Sequence, residues 1–249
     1  MPKSPPFIGS KIIDDVPLGD FEHLLDRQAL YFGRWQFKIT SSNDDSKDVS
    51  IDKIAAIYEK IRAMIVSKGL FEYKMVRGYF KCEKSGNNLI VRGEKKAYRF
   101  DFPRERIPPH RCLSDFFSDG FAAFQLVTIG SKVGDEISAL FGKGGYSESF
   151  YLKGFAAEAA EALAKFSHSL IRKELGLGAD AGERFSPGYP VFPSLLDQRS
   201  IVALLEVRRI GVNLTKTCML VPEHTTSAII SPDATASRWG SNIIKNRCL

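Results

Sequence analysis

The chain has 249 residues, enough for one large domain or two small ones, and its 44% hydrophobic and 26% charged content is that of an ordinary globular protein. No apolar run approaches the roughly 20 residues of a membrane span, and the opening MPKSPPFIGSK lacks the apolar stretch of a secretory signal, so a cytoplasmic location is expected. The net charge of +6 is spread without a long Lys/Arg run or interleaved aromatics, which argues against nucleic acid and makes an acidic protein the more useful partner to consider.

Residues 1–20 hold Pro5, Pro6 and Pro17, which lack an amide donor, and read as an extended arm. Phe21, Leu24, Leu25 and Phe32 are spaced for a helix over 21–32. The polar stretch 41–50 reads as a loop ending on Ser50 as an N-cap. The helix that follows, over 51–67, buries Ile54, Ile57, Tyr58, Ile61 and Ile65 and stops at Gly69. Segments 74–82, 88–92 and 96–102 have strand character, and Gly86-Asn87 is the turn of a meander. A further strand is expected over 122–129 and helices over 138–141 and 155–175. The second helix is Ala-rich, with Phe155, Ala159, Leu163, Phe166 and Leu170 on one side and Gly176 and Gly178 at its end. A short helix over 201–205 and strands over 211–219 and 227–230 complete the chain. Strands and helices come in blocks without alternating, the pattern of an α+β fold.

Several chemistries lack their residues. No GxGxxG follows a strand, and there is no GxxxxGK[ST], HExxH or GxSxG. Cys82, Cys112, Cys218 and Cys248 form no CxxC and no cluster, so they read as buried free thiols.

Three places carry possible chemistry. In RFSPGYP, Arg184 offers a planar fork of donors beside a loop stiffened by Pro187 and Pro190, with Gly188 free to turn and Tyr189 presenting a flat face. The same residues would also make a plain turn with a surface arginine. Glu161 lies four residues before Lys165 and is either half of a helix ion pair or a carboxylate facing a ligand amine. Asp115, in CLSDFF, is either a helix cap or a second acid of a site. Two carboxylates and an arginine suit a ligand that carries an amine, a carboxylate and a further positive charge.

These places also carry a family resemblance. RFSPGYPVFPSLLDQRSIVALLE resembles the signature of the activation domain of cobalamin-dependent methionine synthase: an Arg, two variable residues, Pro-Gly-Tyr-Pro, a second Pro, a polar helix start and Leu-Leu. IGVNLTKTCMLVPEHTTSAII resembles the block that follows it. RCLSDFF resembles the family's Cys-Leu-x-Asp-Phe, and EALAKFSHSLIRKELG its Glu-bearing helix. PPFIGSKIIDDVPLGDF with YFGRWQF resembles the junction after the cobalamin module, and AAFQLVTIGSKVGDEI is similar to shorter, free-standing relatives. The motifs keep the family's order over nearly the whole chain.

The resemblance implies a linker-like arm over 1–20 and one domain over 21–249, a twisted antiparallel sheet flanked by helices. It implies a shallow site for S-adenosylmethionine (AdoMet) made by Asp115, Glu161, Arg184 and the backbone near Ser186, with Gly188 and Tyr189 shaping the loop. The implied function is support for reductive remethylation of cob(II)alamin on methionine synthase or a related corrinoid protein, with a flavodoxin-like electron donor as a further partner. Cobalamin would come on a partner chain, because His23, His110, His168 and His224 all lie outside any DxHxxG stretch, the source of the axial cobalt ligand in many corrinoid proteins. No catalytic or metal-ligating residue is implied. The chain departs from the family at Lys216, where an acid is usual, and at Ala228, where glycine is usual. A ligand-contacting C-terminal aromatic of the family has no clear match here, Trp239 being the one candidate. Lys216 and the unmatched aromatic motivate the alternative of a non-catalytic binding or regulatory module that kept the fold.

Overall fold

The computed structural model describes residues 4–38, 51–178, 181–233, 235–236 and 239. The expected loop over 41–50, its Ser50 cap and Cys248 lie outside the described residues. In chain order the elements are β1 (Gly9–Ile13), α1 (Leu18–Phe21), α2 (Ile51–Lys68), β2 (Lys74–Ser85), β3 (Asn88–Arg92), β4 (Ala97–Asp101), β5 (Gly120–Thr128), α3 (Lys132–Gly142), α4 (Tyr146–Leu175), β6 (Glu183–Phe185), α5 (Gln198–Leu205), β7 (Asn213–Leu214), β8 (Leu220–Val221) and β9 (Thr225–Ser231).

The meander organises the sheet. Gly86 turns the chain at φ +58°, which costs glycine little because it has no Cβ, and β2, β3 and β4 follow as antiparallel neighbours. β5 pairs with one edge of β2 over Lys74–Cys82. The other edge takes β1 along Met75–Tyr79 and β3 along Cys82–Ser85. The main order is β4-β3-β2-β5-β9-β6, antiparallel throughout, and β7 and β8 form a separate small ladder.

Alternation along β2 sends Val76, Phe80 and Cys82 to one face. There they pack with Leu89, Val91, Phe100 and Phe124 beneath Ile201, Leu204 and Leu205 of α5. Met75 and Val127 point to the opposite face, which is covered by Phe155, Ala159 and Leu163 of α4 and by Ile54, Tyr58, Ile61 and Ile65 of α2. The helices and the sheet thus form two apolar layers around one sheet, an α+β architecture. Among the described residues no helix is long and apolar enough to cross a membrane.

Tertiary contacts changed several expected elements. The single helix over 21–32 is broken: α1 ends at Phe21, a 3-10 turn covers Glu22–Leu24, Leu25 is extended at ψ 121°, and a π-helical stretch runs over Ala29–Arg34. Asp26 Oδ1 accepts the Ala29 amide at 2.9 Å, a local bond that competes with a continuous helix. The breaks let Phe21, Leu25 and Leu30 all enter one core. The expected strand over 211–219 shrinks to Asn213–Leu214, because the chain turns over Thr215–Cys218, with Cys218 at φ +65°. The long helix starts at Tyr146, nine residues before the expected Phe155. Gly154 inside it accommodates Trp35, whose Cδ1 would lie 2.7 Å from a Cβ built there. The extended N-terminal stretch contributes a sheet strand at Gly9–Ile13, and the short strand Glu183–Phe185 was not expected at all.

Candidate functional site

The site begins where α4 meets β6. Ala156, Ala159, Ala160 and Ala164 are buried, so the helix lies close to the sheet, and Glu161 sits on its margin with a side chain 41% exposed. Arg184 stands opposite Ile230 in the β6–β9 ladder, and its side chain is 21% exposed. Its Nη2 reaches Glu161 Oε2 at 3.5 Å. A strong charge-assisted bond is about 2.7–2.9 Å, so both groups keep most of their capacity for another partner. The alternative pair of Glu161 with Lys165 does not form, because Lys165 Nζ turns instead to the Leu24 carbonyl at 3.4 Å.

After Phe185 the chain leaves the sheet and enters the Ser186–Pro190 loop. Gly188 adopts φ +96°, and its amide donates to the Phe192 carbonyl at 2.8 Å; the Phe192 amide donates to the Tyr189 carbonyl at 2.9 Å. Phe192 is fully buried against Phe100 and Phe102 and anchors this turn. A side chain at Gly188 would meet both the left-handed backbone and Leu195 Cδ2 at 3.0 Å. Tyr189 is left 60% exposed, and Ser186 is half-buried.

Asp115 belongs to a 3-10 turn, Leu113–Phe116, closed by a capping box with Cys112. Its carboxylate accepts Arg104 Nη1 at 2.7 Å, Lys84 Nζ at 2.9 Å and the Cys112 amide at 2.9 Å. Burial alone would raise its pKa, but these hydrogen bonds outweigh burial and hold the carboxyl well below the usual range. The turn is tied to β6 through β9: Ser231 Oγ donates to the Phe116 carbonyl at 2.7 Å, and Ser231 pairs with Glu183. The structure therefore brings Glu161 and Arg184 together and sets the Asp115 turn at the same end of β9. The contacts of the Asp115 carboxylate itself run to Arg104, Lys84 and Cys112. Trp239 is 5% exposed, its ring centroid 4.7 Å from Phe116 and 6.1 Å from Phe185. Its Nε1 donates to Glu105 Oε1 at 2.8 Å, so it packs behind both segments.

Sequence reasoning missed the two cations that clamp Asp115. Lys84 and Arg104 lie 31 and 11 residues away, and only the fold of the meander brings them in. It also missed the groups beneath Arg184. His168 is 6% exposed, and its Nε2 has no partner among the described residues. Burial and the guanidiniums of Arg172 and Arg184 pull its pKa down to about 3, so it stays neutral. The EALAKFSHSLIRKEL segment does hold a signal: Glu161, His168 and Arg172 are seven and eleven residues apart, which places them on one helix stripe. Among the described residues no group of His, Cys, Asp and Glu has the arrangement of a metal site. Cys82, Cys112 and Cys218 are free and buried, as expected.

A family model described as the vitamin B12 dependent methionine synthase activation domain matches residues 17–247. Methionine synthase of Mycobacterium tuberculosis (strain ATCC 25618 / H37Rv) is 30% identical over 267 aligned positions, covering 91% of this chain and 22% of that protein. Methionine synthase of Mycobacterium leprae (strain TN) is 28% identical over 264, with the same coverage. The chain thus spans about a fifth of the length of these curated relatives. Among solved structures, the crystal structure of the MetH reactivation domain bound to AdoHcy superposes with a TM-score of 0.78 at 19% identity, covering 94% of this chain and 81% of that one.

Proposed function

The chain belongs to the vitamin B12 dependent methionine synthase activation domain family, and from that premise we propose that it binds AdoMet between α4 and the Arg184–Pro190 segment. The observation that carries this reading is the loose Arg184–Glu161 pair, 3.5 Å apart beside a loop whose backbone is closed by two hydrogen bonds. The donor set fits the ligand. Arg184 offers a fork to a carboxylate, and Glu161 offers an acceptor to an ammonium. The backbone near Ser186 and the exposed Tyr189 face flank them, and Gly188 holds the loop in shape. Asp115 is the second acid of the site. Its charge is already matched by Lys84 and Arg104, so it adds to ligand binding as a member of that network.

Bound AdoMet supplies an activated methyl on its sulfonium. The task of this chain is to orient that methyl toward cobalamin on a methionine synthase module or related corrinoid protein, supporting reductive remethylation with electrons from a flavodoxin-like donor. Such a task calls for positioning and needs no acid or base from this chain.

Calorimetry with AdoMet and AdoHcy tests the site, and methyl transfer to reduced cobalamin protein tests the role. Binding of AdoMet with no methyl transfer to any corrinoid partner would favour the binding or regulatory module that Lys216 and the unmatched C-terminal aromatic motivate. Absence of AdoMet binding would overturn the proposal.

A further inference from the structure

We infer that Arg172 and Gly182 form a positioning device that sets how far Arg184 reaches along α4. The inference deepens the AdoMet-site reading and rests on it. Three points of one helix stripe meet the strand that carries Arg184. At the far end, Arg172 Nη2 donates to the Gly182 carbonyl at 3.1 Å, just before β6 begins. Beneath that residue lies the neutral ring of His168, its Nε2 3.6 Å from the place a Gly182 Cβ would take. At the near end, Arg184 reaches Glu161.

The lengths explain why the anchor matters. From Glu161 to Arg172 the helix rises about 16 Å at 1.5 Å per residue. Two strand residues from Gly182 to Arg184 cover only about 7 Å of that. The side chains of Arg172, Arg184 and Glu161 span the rest, so where the Gly182 carbonyl is held bears on whether the Arg184 guanidinium reaches Glu161, now at 3.5 Å. A strand that slid toward the C-terminal end of α4 would take the guanidinium out of the site.

Gly182 sets the entry angle. It is buried at φ +81°, and a Cβ there would lie 3.3 Å from the Ser231 carbonyl oxygen and 3.4 Å from Leu177 Cδ1. Only glycine takes this conformation without strain while leaving its carbonyl on Arg172. Arg172 Nε is buried and has no partner among the described residues, so the contact to Gly182 is the side chain's one hydrogen bond within them.

The test is calorimetry with AdoMet on the full chain as wild type, R172M, R172K, G182A, R184A and the double variant R172M/R184A. Loss of one positioning hydrogen bond should weaken AdoMet about three- to tenfold in R172M. R172K should recover part of that loss, because an ammonium can still donate to the Gly182 carbonyl. G182A should weaken binding as R172M does. In the R184A background the Arg172 change should cost nothing further, since its effect passes through Arg184. A purely structural role would lower affinity equally in both backgrounds and would overturn the inference. So would wild-type affinity in R172M and G182A alongside a clear loss in R184A. Wild-type affinity in R184A would overturn the site reading itself, and this inference with it. Circular dichroism identifies any variant that fails to fold, and R172K and G182A keep the comparison decisive if R172M is that variant.

Discussion

Replacing Arg184 with alanine separates ligand binding from folding. In the free protein the side chain makes one ion pair among the described residues, at 3.5 Å, between groups 21% and 41% exposed. Such a pair is worth less than about 1 kcal/mol. The β6–β9 ladder is made by backbone groups and is untouched by the change, so the melting temperature should barely move. The bound state loses more. A charge-assisted, two-pronged contact to a carboxylate is worth about 1.5–3 kcal/mol, which is roughly ten- to a hundredfold in affinity. Arg184→Lys keeps the charge and loses the fork, so its loss should fall between wild type and alanine. The assay is calorimetric titration with AdoMet, run beside urea unfolding of the same samples. A folded R184A protein that binds AdoMet as wild type does would refute the assignment of Arg184, and a large fall in stability would refute the claim that its free-state contact is weak.

Asp115→Asn should cost about 1–3 kcal/mol of stability at neutral pH, since it leaves Arg104 and Lys84 without their counter-charge. The folded pKa of Asp115 lies below its unfolded value, so its contribution is complete above the unfolded pKa and is lost as pH falls through the folded one. Urea midpoints of wild type and D115N should therefore differ by a constant amount above about pH 5 and converge on acidification. Gly154→Ala should destabilise the protein by about 1–3 kcal/mol although alanine is the better helix former, because its Cβ would lie 2.7 Å from Trp35 Cδ1; a thermal melt at or above wild type would contradict this. Reactivation of a cognate corrinoid protein should slow as salt rises, given the net charge of +6 and an acidic partner. Removing residues 1–6 should slow it further while leaving β1 in the sheet, and a rate indifferent to both salt and truncation would discard that docking mode.

Local pattern was enough to find much of this protein. Period-3.6 spacing at Ile54, Tyr58, Ile61 and Ile65 marked α2, whose buried face lies there with Ile57 only partly buried beside it, and the Gly86-Asn87 turn marked the meander. The strand-and-helix blocks identified the α+β class, and Pro-Gly-Tyr-Pro marked a turn, which Gly188 makes at φ +96° with hydrogen bonds to and from Phe192. Each of these is decided by neighbours within a few residues. The helix over 21–32 failed because Phe21, Leu25 and Leu30 answer to a core supplied by distant chain, and burial of three side chains outweighs a few local hydrogen bonds. The strand at Glu183–Phe185 was invisible because three residues carry no period; they become a strand only when β9 offers an edge.

The candidate site divides in the same way. Its residue types were legible, since an arginine before a Pro/Gly loop and an acid on an Ala-rich helix announce themselves. Their partners were not. Glu161 had a cation four residues away and took one 23 residues away, because Lys165 turns to the Leu24 carbonyl while β6 brings Arg184 across. Asp115 is clamped by Lys84 and Arg104 because the meander folds both onto its turn. An ion pair between distant residues is chosen by whichever backbone arrives within a side chain's reach, and that is a property of the packed sheet and helices rather than of the sequence near either charge.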